Sequence, residues 1–115
     1  MANYYLKVSG STNVLQASTT GFIQSNQTSD PSQKFDIDPD SSFKTVQCLN
    51  NKFWKYFPAS GEIKLVGMPP SGDASKFKVA FNSTSNDYEI FCKAVNNGNT
   101  RLTVAGAYEF DLQNV

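Results

Sequence analysis

The chain of 115 residues contains no histidine and only two cysteines, Cys48 and Cys92. Without histidine, the commonest general base and the commonest zinc or copper ligand are missing. Ser–His–Asp and Cys–His catalysis are thereby excluded. Two cysteines are too few for a disulfide framework and make no zinc site unaided. They read as buried thiols acting as small hydrophobes. No run approaches the roughly 18 apolar residues that cross a bilayer. The opening MANYYLKVSG lacks the charged-then-apolar layout of a signal peptide. The expectation is a cytoplasmic or nucleocytoplasmic protein with no membrane insertion, in which the sequons at Asn26 and Asn82 go unused. Ten basic residues balance ten acidic ones, so no net field draws in nucleic acid. The glycine motifs GxxxxGK[ST] and strand-linked GxGxxG, which cradle nucleotide phosphates, do not occur. Nor does any window carry apolar residues at helical spacing over three turns.

What is present is aromatic and β-like. Hydrophobic residues make up 39% of the chain, with nine Phe and five Tyr, the composition of a globular core rather than of disorder. The length predicts one domain, residues 1–115. Short runs of strand-forming residues recur between polar turn clusters such as TSDPSQ, DPDSS, PPSGDAS and NNGN. They predict strands at Tyr4–Gly10, Asn13–Ser18, Gly21–Ser25, Lys34–Asp38, Phe43–Leu49 and Lys52–Phe57. Further strands follow at Glu62–Gly67, Lys76–Phe81, Asp87–Val95, Thr100–Gly106 and Tyr108–Gln113.

These runs repeat internally. KFDI (Lys34–Ile37), KFKV (Lys76–Val79) and EFDL (Glu109–Leu112) end three similar sets, and TNVLQA, NKFWKY and NTRLTV enter an earlier strand of each. Three units, at about 1–40, 41–83 and 84–115, predict an all-β fold, a β-trefoil of roughly forty-residue units. The third unit is short between Val104 and Tyr108, so its third strand is expected to be truncated or missing. A β-sandwich is the alternative. The repeat also sets a register, because neighbouring strand side chains face opposite ways. Leu15, Trp54 and Leu102 share one position, and Ala17, Tyr56 and Val104 share another. Both read as core-facing. The intervening positions are mixed: Val14, Phe53 and Arg101, then Gln16, Lys55 and Thr103. They read as an outer or shared face.

Few residues suggest chemistry. Asp36, Asp38 and Asp40 alternate as a calcium loop begins, but Ser41 stands where that loop needs glycine and Gln47 where it needs glutamate. They read as strand and turn carboxylates, and no metal or other cofactor is expected. The acids are too scattered for a glycosidase pair. Lys52 and Lys55 flank aromatics as on a single-stranded nucleic acid platform, but the lysines form no stripe. What remains is a binding surface. Sugars are held by aromatic faces beneath the ring and by amides at its hydroxyls. Asn50, Asn51, Phe53, Lys55, Phe57 and Asn97 are the candidate ligand-binding residues, around the stretch NNKFWKYF.

The run KFDIDPDSSFKTVQCLNNKFWKYFPASGEIKLVG (Lys34–Gly67) resembles the amaranthin-type agglutinin domain, a plant β-trefoil lectin module. The similar elements are Phe35–Pro39, Thr45–Leu49, the hairpin Asn51–Lys55 and Glu62–Gly67. FCKAVNNGNTRLTVAGAYEFDLQNV resembles a shortened closing repeat. The resemblance implies a non-enzymatic carbohydrate-binding protein selective for galactose/N-acetylgalactosamine glycans. The family's prototype binds sugar where domains of two subunits meet. A single domain would have to rebuild such a site by forming a homo-oligomer, so no sugar-contact roles are carried over. Two other readings stand beside this one. The first is a protein-interaction trefoil such as a protease inhibitor, presenting Pro69–Ser75. The second is a structural or engineered trefoil without ligand.

Overall fold

Alternating apolar residues extend into strands where backbone partners lie on both sides. In the computed structural model, which describes residues 2–115, there are ten: β1 (Ala2–Val8), β2 (Asn13–Ser18), β3 (Gly21–Asn26), β4 (Phe35–Ile37), β5 (Gln47–Cys48), β6 (Phe53–Phe57), β7 (Glu62–Val66), β8 (Phe77–Asn82), β9 (Asp87–Cys92) and β10 (Phe110–Asn114). All pairings are antiparallel. β1 lies between β4 and β10, β5 joins β4, and β9 joins both β8 and β10. The ring closes just ahead of β5, where Lys44 and Phe77 exchange backbone hydrogen bonds of 2.8 and 2.7 Å. Hairpins β2–β3 and β6–β7 project from this barrel. A closed barrel has no free edges to template aggregation. Closure sets the sandwich aside, and the fold is a β-trefoil.

The threefold repeat is clearest in the backbone. Val8, Cys48 and Cys92 pair with Phe110, Phe35 and Phe77. One residue on, the amides of Ser9, Leu49 and Lys93 donate to the carbonyls of Glu109, Lys34 and Lys76, at 3.0, 3.0 and 2.9 Å. The chain then turns, with Ser11, Asn51 and Val95 donating back to Val8, Cys48 and Cys92. Phe35, Phe77 and Phe110 thus occupy one position three times, and all three are buried. Each contributes about 1.5–3 kcal/mol by leaving water. Trp54 crowns this layer, wholly buried, with Phe22, Phe35 and Phe77 meeting it edge-on at 5.4, 5.2 and 5.4 Å. Such edge-to-face contacts suit the ring quadrupole.

The core-facing register holds for Leu15, Trp54, Leu102, Ala17 and Val104, all buried, while Tyr56 is half-buried against the core. Of the positions read as an outer or shared face, Val14 is fully buried. The segment after β3 folds back here: Gln33 Nε2 donates to Gln16 Oε1 and to the Asn26 carbonyl, and the Tyr5 hydroxyl donates to the Thr28 carbonyl.

Three expected strands are corrected. Thr100–Gly106 forms no strand. Arg101 bridges Phe91, Val104 bridges Ala107, and Ala105 and Gly106 turn between them with φ of 52 and 78°. That two-residue turn, left-handed at both positions, matches strand twist. So few residues separate it from β10 that no return strand exists, and its would-be partner finds nothing to pair with. Phe43–Leu49 shrinks to β5, because the segment changes partners, from β8 at Lys44 to β4 at Gln47–Cys48. The run Asp87–Val95 stops at Cys92, where the Val95 amide turns back.

Candidate functional site

The turn that follows the first strand of each unit starts three loops in equivalent places. The second loop holds Asn50 and Asn51, and the third holds Asn97. Both chains of events are backbone-driven. Asn51 and Asn97 have φ of 65 and 53°, a conformation asparagine tolerates better than most residues. Asn50 Oδ1 accepts from the Lys52 amide at 3.2 Å, and Asn51 Oδ1 accepts from Gln47 Nε2 at 3.4 Å. The amides of Asn50 and Asn51 therefore shape their loop while remaining exposed. Because the two loops belong to different units, the structure does not gather Asn97 with Asn50 and Asn51.

Phe53, Lys55 and Phe57 share the outer face of β6, opposite Val66, Lys64 and Glu62 of β7. All three are half-buried. The Nζ atoms of Lys55 and Lys64 stand 5.6 and 5.3 Å from the centre of the Phe57 ring, within cation–π range. None of the four concavities described next is lined by a candidate residue.

The largest concavity, about 590 Å³, belongs to the first of the equivalent loops. Ser9–Thr12 form one wall, Asn86 and Asp87 of the β8–β9 turn another, and Lys7 and Asp111 the floor. Lys7 and Asp111 are cross-strand partners. Ser9 Oγ donates to Asp87 Oδ1 at 2.6 Å, tying the loop to the turn. Hydroxyls, an amide, an ammonium and two carboxylates thus converge on an open polar bowl. Sequence reasoning passed over it. SGST stands where the repeat places LNNK, so the register alone offered the signal. A second hollow of about 360 Å³ lies between the hairpin tips, among Phe22, Ile23, Glu62, Ile63 and Val104. A third, about 220 Å³, lies beside Gln24 and Tyr108. The last, about 10 Å³, sits beside Asp36 and Lys44.

Two of the three carboxylates in the acidic run, Asp38 and Asp40, are taken up structurally. Asp38 bonds Lys44 Nζ at 2.6 Å, and this bond holds its carboxyl below the usual aspartate range. Asp40 Oδ1 accepts from the Phe81 amide at 2.7 Å. Among the described residues no three His, Cys, Asp or Glu side chains gather as a metal site. Both cysteines are free and buried. Burial pushes the Cys48 thiol up to about 12 and raises that of Cys92, the opposite of the shift that activates a nucleophile. No helix of the described residues is long and apolar enough to cross a membrane.

No family model matches the sequence, and no curated protein matches it. Among solved structures the fold recurs. A GlcNAcα1-4Gal-releasing endo-β-galactosidase from Clostridium perfringens aligns over 100% of this chain, with a TM-score of 0.69 and 9% identity. The chain spans only 33% of that protein. ThreeFoil, a designed threefold-symmetric protein, aligns over 98% of this chain and 89% of its own, with a TM-score of 0.68 and 12% identity. A structure described as the BEL β-trefoil in an apo crystal form aligns over 99% and 93%, with a TM-score of 0.71 and 12% identity. Likeness at such identities is likeness of fold.

Proposed function

We propose that this chain is a non-enzymatic carbohydrate-binding protein that seats glycans at the loops following the first strand of each unit. The polar bowl carries the reading. Asp87, Asp111, Asn86 and the hydroxyls of Ser9, Ser11 and Thr12 face one open space, and a sugar ring asks for just such a mixture of donors and acceptors. Asn50 and Asn51, with Phe53, Lys55 and Phe57 beside them, offer a second seat in the equivalent place, and Asn97 a third. That an endo-β-galactosidase contains this fold supports the class. Catalysis is not part of the proposal. The chain has no histidine, and the Ser9–Asp87 pair lacks the intervening base of a hydrolase triad.

The resemblance of Lys34–Gly67 to the amaranthin-type module supports galactose/N-acetylgalactosamine glycans as ligands. Shallow sites bind one sugar weakly, so self-association raises avidity through linked sites. A glycan array followed by calorimetry tests the proposal. Galactose-type glycans should bind, and Asp87→Ala should weaken them while the fold survives. An array with no sugar response on folded protein ends the reading. One observation favours a protein-binding alternative: Met68 is 79% exposed beside Pro69, at the edge of the Pro69–Ser75 segment. Inhibition of any member of a protease panel would support it.

A further inference from the structure

The threefold frame allows like to be compared with like on the barrel's outer wall. Each seam between units presents four outward positions, two on each strand. At the β10–β1 seam they are Glu109, Asp111, Lys7 and Ser9. At the β4–β5 seam they are Lys34, Asp36, Gln47 and Leu49. At the β8–β9 seam they are Lys76, Lys78, Phe91 and Lys93. The first seam sets one lysine against two carboxylates, and the second sets one against one. The third has three lysines and no carboxylate. A chain with no net charge thus places three of its lysines together at one seam.

The chemistry of that sector is specific. Lys78 Nζ stands 5.4 Å from the centre of the Phe43 ring and 6.0 Å from that of Phe91, and Lys93 Nζ stands 5.4 Å from Phe43. Lys76 Nζ donates to Thr45 Oγ1 at 3.4 Å. Among the described residues no carboxylate lies within 4.0 Å of these three ammonium groups. Of the nearby acids, Asp38 is engaged with Lys44 and Glu89 with Arg101, while Asp73 lies exposed in the short turn before Lys76. The rings hold the lysine stems in place, which lowers the entropy lost when an anion binds. Phe43 is itself seated on Gly98, where φ is 81° and any Cβ would overlap the ring. Along one strand the lysines are about 7 Å apart, and across strands about 5 Å. That spacing suits several anionic groups borne on one chain.

We propose that the β8–β9 wall binds the sulfate or carboxylate groups of an acidic polysaccharide. The proposal rests on the carbohydrate-binding reading and names the charge class of glycan it favours. Single-stranded nucleic acid is the less suitable polyanion. It needs open aromatic faces for its bases, whereas lysines already stand over the rings of Phe43 and Phe91.

The test is calorimetric titration with a size-defined heparin oligosaccharide, its desulfated counterpart and an oligo-dT of matched charge, over a range of salt. The heparin oligosaccharide should bind, the desulfated chain, which keeps only its carboxylates, should bind more weakly, and the affinity should fall with salt. The double substitution Lys78→Gln/Lys93→Gln should weaken binding roughly tenfold and reduce the log–log salt slope by about one per lysine removed. Lys34→Gln, at the second seam, should change it less than about twofold. Denaturation midpoints establish that all variants are folded. Equal losses for both sets of variants overturn the proposal. So does oligo-dT binding as tightly through the same lysines, which reassigns the wall to nucleic acid. If neutral glycans bind on the array but the heparin oligosaccharide does not, this inference fails and the broader reading stands. If neither binds, both fall.

Discussion

The second and third units build the same hairpin by different means. β6 and β7 pair over five rungs, from Phe53↔Val66 to Phe57↔Glu62. The third unit keeps only the Val104↔Ala107 bridge. Yet Trp54 and Leu102 enter their hairpins alike, donating backbone N–H groups to Val46 and Ile90 at 3.0 and 2.8 Å. A side-chain clamp stands in for the missing ladder. Arg101 Nη1 donates to Glu89 Oε2 at 3.0 Å, and its guanidinium lies 4.1 Å from the centre of the Tyr108 ring. Glu89 is itself buried, so its charge needs this partner. The lesson is that the trefoil frame resides in the barrel. The hairpins are held to it individually, one by a tryptophan and a ladder, another by an arginine.

Truncating the tryptophan is the hardest test of that contrast. Trp54→Ala should cost about 3–5 kcal/mol, and Leu102→Ala, smaller at the equivalent position, about 2–3 kcal/mol. Chemical denaturation measures both. Equal losses would mean that the second hairpin has no special share in the core. Arg101→Gln comes next, at about 1–3 kcal/mol, because it leaves a buried carboxylate without its charged partner and with only the Asn82 amide, 3.3 Å away, beside it. The same change at the exposed ion-pair partner Lys44 should be scarcely measurable. If Arg101→Gln is silent, the clamp is not what holds the third hairpin. Gly106→Ala should cost about 1 kcal/mol, since φ there is 78° and alanine resists that conformation. Circular dichroism melts suffice to detect it.

The smallest effect near neutral pH concerns the equivalent cysteines. Cys48, in the second unit, has its thiol raised from an ordinary 9.0 to about 12 by burial, and Cys92, in the third, is raised for the same reason. A raised folded-state value contributes stability that is fully present below the unfolded value. It is lost as pH climbs from about 9 toward 12 for Cys48. Cys48→Ala should therefore flatten the alkaline decline in stability relative to the parent. A parallel decline in both proteins would count against the buried-thiol account. Folded protein at neutral pH should also resist thiol reagents until it unfolds.

Much of the fold was legible because alternation is local. Leu15, Trp54 and Leu102 lie inside, as their common register requires, and Phe53, Lys55 and Phe57 lie outward on β6. The failures lie where pairing depends on distant partners. Thr100–Gly106 reads as a strand but has no return strand to bond. Val14 reads as outer or shared, and only the tertiary structure decides that it is fully buried. The candidate surface was legible one residue at a time. Asn50, Asn51 and Asn97 do occupy loops in equivalent places, whereas the bowl requires Lys7, Asp87 and Asp111, which come from three separate stretches of chain.

The amino-acid sequence alone determined the period-two patterning, the threefold repetition of Lys-Phe and Glu-Phe strands, and the absence of histidine chemistry. These are properties of neighbours along the chain, and each survives any arrangement of the strands. Only the tertiary structure decided that Lys44 closes the barrel against Phe77, and that Arg101 substitutes for a hairpin. It also decided that Lys76, Lys78 and Lys93 gather at one end of the β8–β9 wall, with Glu89 and Asp87 farther along the same face. The three lysines meet because β8 and β9 pair with each other, and pairing across a barrel is a long-range choice that no local pattern encodes.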